Sequence, residues 1–86
     1  MKIQKFIVEA EIEEKILTKH GINREEFDNS LEYGDRRIFR LKDNIYMAVT
    51  HYIRYITVIF NYEPPNAKVR TAYPSGIDEI NRYNKK

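Results

Sequence analysis

The sequence has no cysteine and no long apolar run. Without cysteine, the chain forms neither disulfide bonds nor thiolate metal sites, which fits a reducing compartment. No apolar stretch is long enough to cross a membrane. The first residues, MKIQKFIVEAEIEEK, lack the apolar core and small-residue cleavage site of a secretion signal. We therefore expect a cytoplasmic protein that has no contact with a membrane.

The composition is that of a globular chain. Hydrophobic residues make up 42% of the 86 residues and charged residues 33%, which excludes an intrinsically disordered chain. No repeat, linker or low-complexity segment divides the sequence. We expect a single domain over residues 1–86, with a modest hydrophobic core.

The net charge of +2 conceals an asymmetry between two parts of the chain. Residues 1–35 carry five Lys and Arg against nine Asp and Glu, a net of −4, and residues 36–86 carry ten against four, a net of +6. A basic segment is typical of a surface that binds phosphate, so it favours RNA as a partner. The alternative is that the two halves simply face each other and water.

Two helices are predicted at the start of the chain. In residues 9–21 the apolar Ile12 and Ile16 share one face with His20, and Gly21 is a stop signal. Asn23 is an N-cap for a second helix that ends near Gly34. Glu26 stands at the third position of this helix, as in a capping box, and Ile22 and Phe27 occupy the positions of a hydrophobic staple.

After Gly34 the hydrophobic period changes to two. Four strands are predicted, RRIFRL (36–41), IYMAVTHY (45–52), YITVIFNY (55–62) and AKVRTAY (67–73). Their short separators favour an antiparallel meander. Residues 2–8 are either a further strand or the lead-in to the first helix. Ser75 is predicted to cap a short last helix whose Ile77 and Ile80 face inward. The expected fold class is α+β, an N-terminal αα-hairpin packed on one face of a four-stranded antiparallel sheet, with a short C-terminal helix.

Alternation divides the strand residues between two faces of the sheet. We expect one face, under the helices, to carry the apolar Ile45, Met47, Val49, Ile56, Val58 and Phe60. The opposite face then carries Tyr46, Tyr52 and Tyr55, flanked by Arg40 and Arg70, and Thr71 is expected on the core side beneath Arg70. Rings that stack on bases and guanidinium groups that bind phosphates suit RNA. The alternative is that tyrosine is present as a good strand former.

The order of these elements and two short motifs resemble a known family. KHGI at 19–22 before a helix and VRTAYP at 69–74 in the last strand are similar to the small RNase toxins of the BrnT and RelE group, within the barnase, EndoU, colicin and RelE type. The resemblance covers residues 12–83. The chain departs from the BrnT pattern in one respect. That pattern has more arginines in the last strand and the following helix, where this chain has only Arg70 and Arg82. The resemblance implies an endoribonuclease toxin with a small antitoxin protein as its partner.

Cleavage of RNA without a metal or other cofactor is the reaction that these residues suit. The 2′-hydroxyl of RNA attacks the adjacent phosphate, and the protein supplies proton transfer and charge stabilisation. The candidate catalytic residues are His20, His51, Arg40, Arg54, Arg70 and Tyr73, and the candidate RNA-binding residues are Tyr46, Tyr52, Tyr55, Arg82 and Tyr83. His20 coincides with the histidine of the KHGI motif.

Other interpretations stay open for the same residues. His20 also suits a helix C-terminus, where a cation interacts favourably with the dipole, and His51 is also interpretable as a polar residue at a strand end. The alternative function is a non-catalytic RNA- or protein-binding module of the same fold. Tyrosines are also common in interfaces, so a homodimer is a further alternative.

Overall fold

A computed structural model describes residues 1–85 of the chain. The elements in chain order are β1 (Phe6–Ile7), α1 (Ala10–His20), α2 (Arg24–Tyr33), β2 (Asp35–Lys42), β3 (Ile45–His51), β4 (Tyr55–Glu63), β5 (Asn66–Pro74) and α3 (Ile77–Asn84). No helix among these residues is both long and apolar enough to cross a membrane.

The sheet has five strands in the order β1-β5-β4-β3-β2. Strands β2 to β5 form the predicted antiparallel meander, whereas β1 pairs with β5 in parallel, with Phe6 beside Ala67 and Ile7 beside Lys68. The expectation of a purely antiparallel, four-stranded sheet is therefore wrong. Only two residues of β1 pair with β5. A strand this short leaves too few residues for an alternating pattern that would predict it.

Helices α1 and α2 form the predicted αα-hairpin. Gly21 ends α1 in the left-handed region with φ at 67°, and the side chain of Asn23 accepts a 2.8 Å hydrogen bond from the Glu26 amide. The staple residues Ile22 and Phe27 are both buried. In a full capping box the Glu26 carboxylate would also accept a hydrogen bond from the Asn23 amide. Among the described residues it accepts hydrogen bonds from Arg54 instead.

The hydrophobic core lies between this hairpin and one face of the sheet. It contains Ile16, Ile22, Phe27, Leu31, Ala48, Ile56, Val58, Phe60, Ala67, Val69 and Ala72. As expected, Ile56, Val58 and Phe60 of β4 belong to it.

The assignment of β3 to the two faces was wrong. Ala48 pairs with Val58, and Tyr46 pairs with Phe60. Ala48 and Tyr46, rather than Met47 and Val49, therefore lie under α1 and α2. The Thr50 hydroxyl on the same side donates a 2.7 Å hydrogen bond to the carbonyl of Ser30 in α2. Both alternate sets of IYMAVT are apolar enough to be buried, so alternation alone does not identify the core set.

Helix α3 lies on the opposite face of the sheet. The Tyr83 ring packs edge-on against Tyr55, and the Arg82 guanidinium lies 4.5 Å from the centre of the Phe39 ring. Register places Tyr55 and Phe39 on the face opposite the core. Helices therefore cover both faces, and the expected packing of helices on one face only is wrong. We call this second surface the α3-side face.

The start of α3 also differs from the prediction. Gly76, not Ser75, is the N-cap, and its amide donates a 2.6 Å hydrogen bond to the Glu79 carboxylate. The Ser75 hydroxyl instead hydrogen-bonds the Thr57 hydroxyl at 2.7 Å. With the helix displaced by one residue, Ile77 is 68% exposed rather than inward, while Ile80 is partly buried.

Candidate functional site

The α3-side face brings together side chains from β3, β4, β5 and α3. His51 pairs with Tyr55, and Tyr73 pairs with Thr57, which is two residues farther along β4. Residues two apart on a strand point to the same side, so Tyr55, His51 and Tyr73 share this face. Polar and aromatic groups predicted from the sequence thus lie on one surface, partly covered by α3.

His20 and Tyr73 meet at the edge of this face. β1 pairs with β5 only at Ala67 and Lys68, so the later part of β5 is an edge of the sheet, and the end of α1 lies beside it. The His20 and Tyr73 rings are 5.9 Å apart between centres and tilted by 52°. Burial, and secondarily the negative charge of Glu79, raise the pKa of Tyr73. The Tyr73 hydroxyl therefore keeps its proton at neutral pH.

A shallow cavity lies next to Tyr73, between α3 and the sheet. Its volume is about 300 Å³, and it is lined by Leu41, Met47, Ile59, Tyr73, Asp78, Glu79 and Arg82. An apolar floor with a guanidinium and a phenol at its walls suits a base or ribose, while the carboxylates of Asp78 and Glu79 on the same walls disfavour a phosphate inside it. Arg82 and Tyr73, predicted independently, are both part of this cavity wall.

Arg70 occupies a β-bulge in β5. Val69 pairs with Phe60 and Thr71 with Ile59, so Arg70 is the extra residue between two consecutive pairs. The Arg70 guanidinium donates a 3.2 Å hydrogen bond to the side chain of Asn61, on the α3-side face. The bulge also turns Thr71 to this face, because Thr71 pairs with Ile59 of the cavity floor, so the expectation that Thr71 lies on the core side is wrong.

A second cluster surrounds His51 at one end of the sheet. The His51 and Tyr55 rings stack at 4.1 Å with an interplanar angle of 5°, and Tyr83 lies edge-on to Tyr55 at 5.5 Å. The Tyr83 hydroxyl donates a 3.0 Å hydrogen bond to the carbonyl of Asp35. Burial, followed by the charges of Asp35 and Tyr55, raises the pKa of Tyr83, while Arg37 opposes this shift.

Arg37 holds the end of α3 beside this cluster. Its guanidinium donates hydrogen bonds of 2.6 Å and 3.0 Å to the carbonyls of Tyr83 and Lys85. Sequence reasoning missed Arg37, which lies on the α3-side face because it pairs with Val49. The RR pair at 36–37 was an available signal, since adjacent strand residues point to opposite faces and one of the two must face α3.

Two candidate residues lie on the core side of the sheet, not beside Arg70. Arg40 pairs with Tyr46, and its guanidinium donates a 2.8 Å hydrogen bond to the carbonyl of Asp43. The Tyr46 ring stacks on Phe60 at 5.8 Å. The expected grouping of Arg40 and Tyr46 with Arg70 is wrong, because it depended on the incorrect face of β3.

Arg54 and Tyr52 lie in the turn between β3 and β4. The Arg54 guanidinium forms an ion pair with Glu26, at 2.7 Å, and is thereby bound to α2. The Tyr52 ring lies 6.1 Å from that of Tyr33. This ion pair joins the acidic and basic parts of the chain, as does the one between Lys68 and Glu9 at 4.0 Å.

The two predicted histidines belong to different groups of residues. Tyr55, beside His51, and Asn61, beside Arg70, are six residues apart on β4, a separation of about 20 Å. The structure therefore does not place His51 next to Arg70. It brings His20 to Tyr73, and it brings His51 to Tyr55, whose ring also contacts Tyr83. Within residues 1–85, no group of three or more His, Asp or Glu side chains is arranged to hold a metal ion.

Comparison with known proteins identifies the fold. No family model and no curated protein sequence matches the chain. The crystal structure of the ribonuclease toxin BrnT from Brucella abortus is similar, with a TM-score of 0.65 at 21% sequence identity. The match covers 84% of this chain and 96% of BrnT. The resemblance noted in the sequence is thus confirmed for the fold, and the chain has a BrnT-like fold.

Proposed function

We propose that this chain is the ribonuclease toxin of a toxin–antitoxin pair and cleaves RNA by attack of the 2′-hydroxyl on the adjacent phosphate. The observation that carries the proposal is the meeting of His20 and Tyr73 at the α3-side face of a BrnT-like fold. Arg70 lies on this face, and Arg82 lines the adjoining cavity. A small antitoxin protein is the proposed protein partner.

The proposed reaction needs two proton transfers. The 2′-oxygen loses its proton and forms a bond to phosphorus, while the bond from phosphorus to the 5′-oxygen breaks and that oxygen gains a proton. The products are a 2′,3′-cyclic phosphate and a 5′-hydroxyl. The attacking and leaving oxygens lie roughly in line on opposite sides of phosphorus, so the base and the acid must come from different positions.

His20 and Tyr73 suit these two roles. A histidine side chain accepts a proton near neutral pH, so His20 is the proposed base for the 2′-hydroxyl. A tyrosine phenol carries its proton at neutral pH, and Tyr73 lies beside His20, so Tyr73 is the proposed acid for the leaving 5′-oxygen. Their rings, 5.9 Å apart between centres, stand close enough to act on one phosphate.

Arg70 and Arg82 supply positive charge to this surface. Neither forms an ion pair with a carboxylate within residues 1–85: Arg70 is hydrogen-bonded to a neutral amide and Arg82 lies over an aromatic ring. Their charge is thus available to a phosphate, which a guanidinium binds through two parallel hydrogen bonds. Arg54, whose guanidinium is held by Glu26, is proposed to act in folding instead.

The proposal is tested by incubating the purified protein with total RNA in the presence of EDTA. We expect fragments that end in a 2′,3′-cyclic phosphate, and we expect Arg70→Ala to slow their formation. The matched control is Lys15→Ala, which removes a cation from the exposed surface of α1, away from the α3-side face. Salt-sensitive binding of RNA without any cleavage would instead support the non-catalytic binding module.

A further inference from the structure

Arg70 is held at the β-bulge by a chain of two amide side chains. Its guanidinium donates a 3.2 Å hydrogen bond to Asn61 on β4, and the Asn61 amide nitrogen donates one of 3.2 Å to the Asn44 side chain. A guanidinium only donates hydrogen bonds, so the Asn61 oxygen must face Arg70 and the Asn61 nitrogen must face Asn44. The two contacts therefore determine which way the Asn61 amide points.

The far end of this chain is attached to the sheet. Asn44 lies in the turn between β2 and β3, and its carbonyl accepts a 2.8 Å hydrogen bond from the amide of Tyr62, the residue after Asn61. The turn is also held from β2, because the Arg40 guanidinium donates a 2.8 Å hydrogen bond to the Asp43 carbonyl. The Asn61 amide is thus supported from two strands of the sheet.

Carboxylates lie near Arg70 as alternative partners. Glu63 lies two residues after Asn61 on β4, and residues at this spacing point to the same side. Glu9 and Glu63 line the same shallow hollow as Arg70. Glu9 pairs with Lys68 at 4.0 Å, whereas Glu63 forms no ion pair within residues 1–85. A guanidinium released from Asn61 would therefore pair with Glu63, and this ion pair would neutralise its charge.

We infer that Asn61 is a positioning residue for Arg70, which holds the guanidinium toward the bound RNA and away from Glu63 without neutralising it. The inference rests on the proposed function, in which Arg70 binds a phosphate of the RNA. An amide oxygen accepts the hydrogen bond but carries no net charge, so it orients the guanidinium and leaves its positive charge to the ligand.

The contact with Asn61 leaves one edge of the Arg70 guanidinium free. Only the Nη1 atom takes part in the contact, and the edge formed by Nε and Nη2 has no side-chain partner within residues 1–85. This edge presents two parallel N–H donors, the arrangement that binds two oxygens of one phosphate. Asn61 thus orients the guanidinium without using the donors that a phosphate needs.

The test measures the salt dependence of binding of a labelled, single-stranded 2′-O-methyl RNA by fluorescence anisotropy. The blocked 2′-hydroxyl prevents cleavage, so the measurement does not depend on catalysis. Each phosphate contact with a single strand contributes about 0.7 to the slope of log affinity against log salt concentration. We expect Arg70→Ala to reduce the slope by about 0.7, because the cation is lost. Asn61→Leu and Asn61→Asp should do the same, because a carboxylate then neutralises Arg70.

Two double variants separate positioning from a purely structural role. With Glu63→Gln no carboxylate competes for Arg70, so adding Asn61→Leu should not reduce the slope further. With Arg70→Ala there is no cation to position, so adding Asn61→Leu should again have no effect. Asn29→Leu is the matched control, since it makes the same exchange at a half-buried position of α2, on the other side of the sheet. Circular dichroism checks the folding of each variant.

The inference is overturned if both Asn61 variants keep the parent slope while Arg70→Ala reduces it. It is also overturned if Asn61→Leu reduces the slope equally with and without Glu63, or if Asn29→Leu has the same effect. An unchanged slope for Arg70→Ala would refute Arg70 as a phosphate ligand, and this inference with it. A protein that shows the expected slopes but does not cleave RNA would refute only the proposed reaction.

Discussion

The Arg54 guanidinium donates two hydrogen bonds to the Glu26 carboxylate, at 2.7 and 2.9 Å, and one at 3.3 Å to the carbonyl of Gly21. These contacts join the turn between β3 and β4 to the start of α2. The hydrogen bonds from Arg54 to Glu26 are the main reason why the pKa of Arg54 is raised. Arg54 is therefore a structural link between the sheet and the αα-hairpin.

Arg54→Gln should lower the free energy of unfolding by about 1 kcal/mol, because the pair is bidentate but partly exposed to water. A double-mutant cycle with Glu26→Gln should show coupling between the two side chains when urea unfolding is measured. Lys15→Gln, which breaks an exposed pair with Glu11 at 3.9 Å, serves as the control and should have no measurable effect. Absence of coupling in the cycle would show that the Arg54 contact does not stabilise the fold.

Gly34→Ala should destabilise the protein by about 1–3 kcal/mol, since the new methyl group overlaps backbone and a buried hydroxyl that have no room to move. Gly76→Ala is the matched control. Its Cβ atom would meet only the end of the Glu79 side chain, at 3.0 Å, so it should cost less. Equal stabilities of the two variants in urea unfolding would contradict the close approach at Gly34.

Tyr73 should make the protein less stable at alkaline pH. Its pKa is raised in the folded state, so between the ordinary tyrosine value of about 10 and the raised value the folded chain holds more protons than the unfolded chain. Stability therefore falls as the pH rises through this interval. Urea unfolding of Tyr73→Phe should show a shallower decline above about pH 10 than the parent, and an identical decline would contradict the burial of this phenol.

Arg70→Lys should reduce the rate of RNA cleavage, because an ammonium group carries the charge but not the two parallel hydrogen bonds of a guanidinium. Lys15→Arg on α1 is the matched control, since it exchanges the same two groups in the opposite sense on an exposed helix surface. The rates of cleavage of one RNA by the three proteins are compared. Equal rates for Arg70→Lys and the parent would show that Arg70 does not bind the reacting phosphate through two parallel hydrogen bonds.

Local signals predicted the αα-hairpin well. The Asn23 cap, the staple of Ile22 and Phe27 and the left-handed Gly21 are all determined by neighbours in sequence, and all three are present. The four strands of the meander also lie close to their predicted positions, because the hydrophobic period and the turn length are local features of the sequence. The sequence pattern also indicated the BrnT-like fold.

Features that depend on distant contacts were not predicted. The face of β3 is decided by its register with β4, and both sides of IYMAVT are apolar enough for either face. The pairing of β1 depends on Ala67 and Lys68, far away in the chain. The bulge at Arg70 changes the alternation of β5, which is why Thr71 was assigned to the wrong side. His20 and Tyr73 were predicted separately, and only the fold shows that they meet.

The most direct test of the central claim compares the cleavage rates of His20→Gln, His51→Gln and the parent on one single-stranded RNA in EDTA. The account predicts that His20→Gln lowers the rate by about 100-fold or more, as expected for loss of a general base, with circular dichroism showing a folded protein. His51→Gln should cost less, because His51 lies away from the proposed catalytic pair. An unchanged rate for His20→Gln, or a larger loss for His51→Gln, would contradict the assignment of His20 and Tyr73 as the reacting pair.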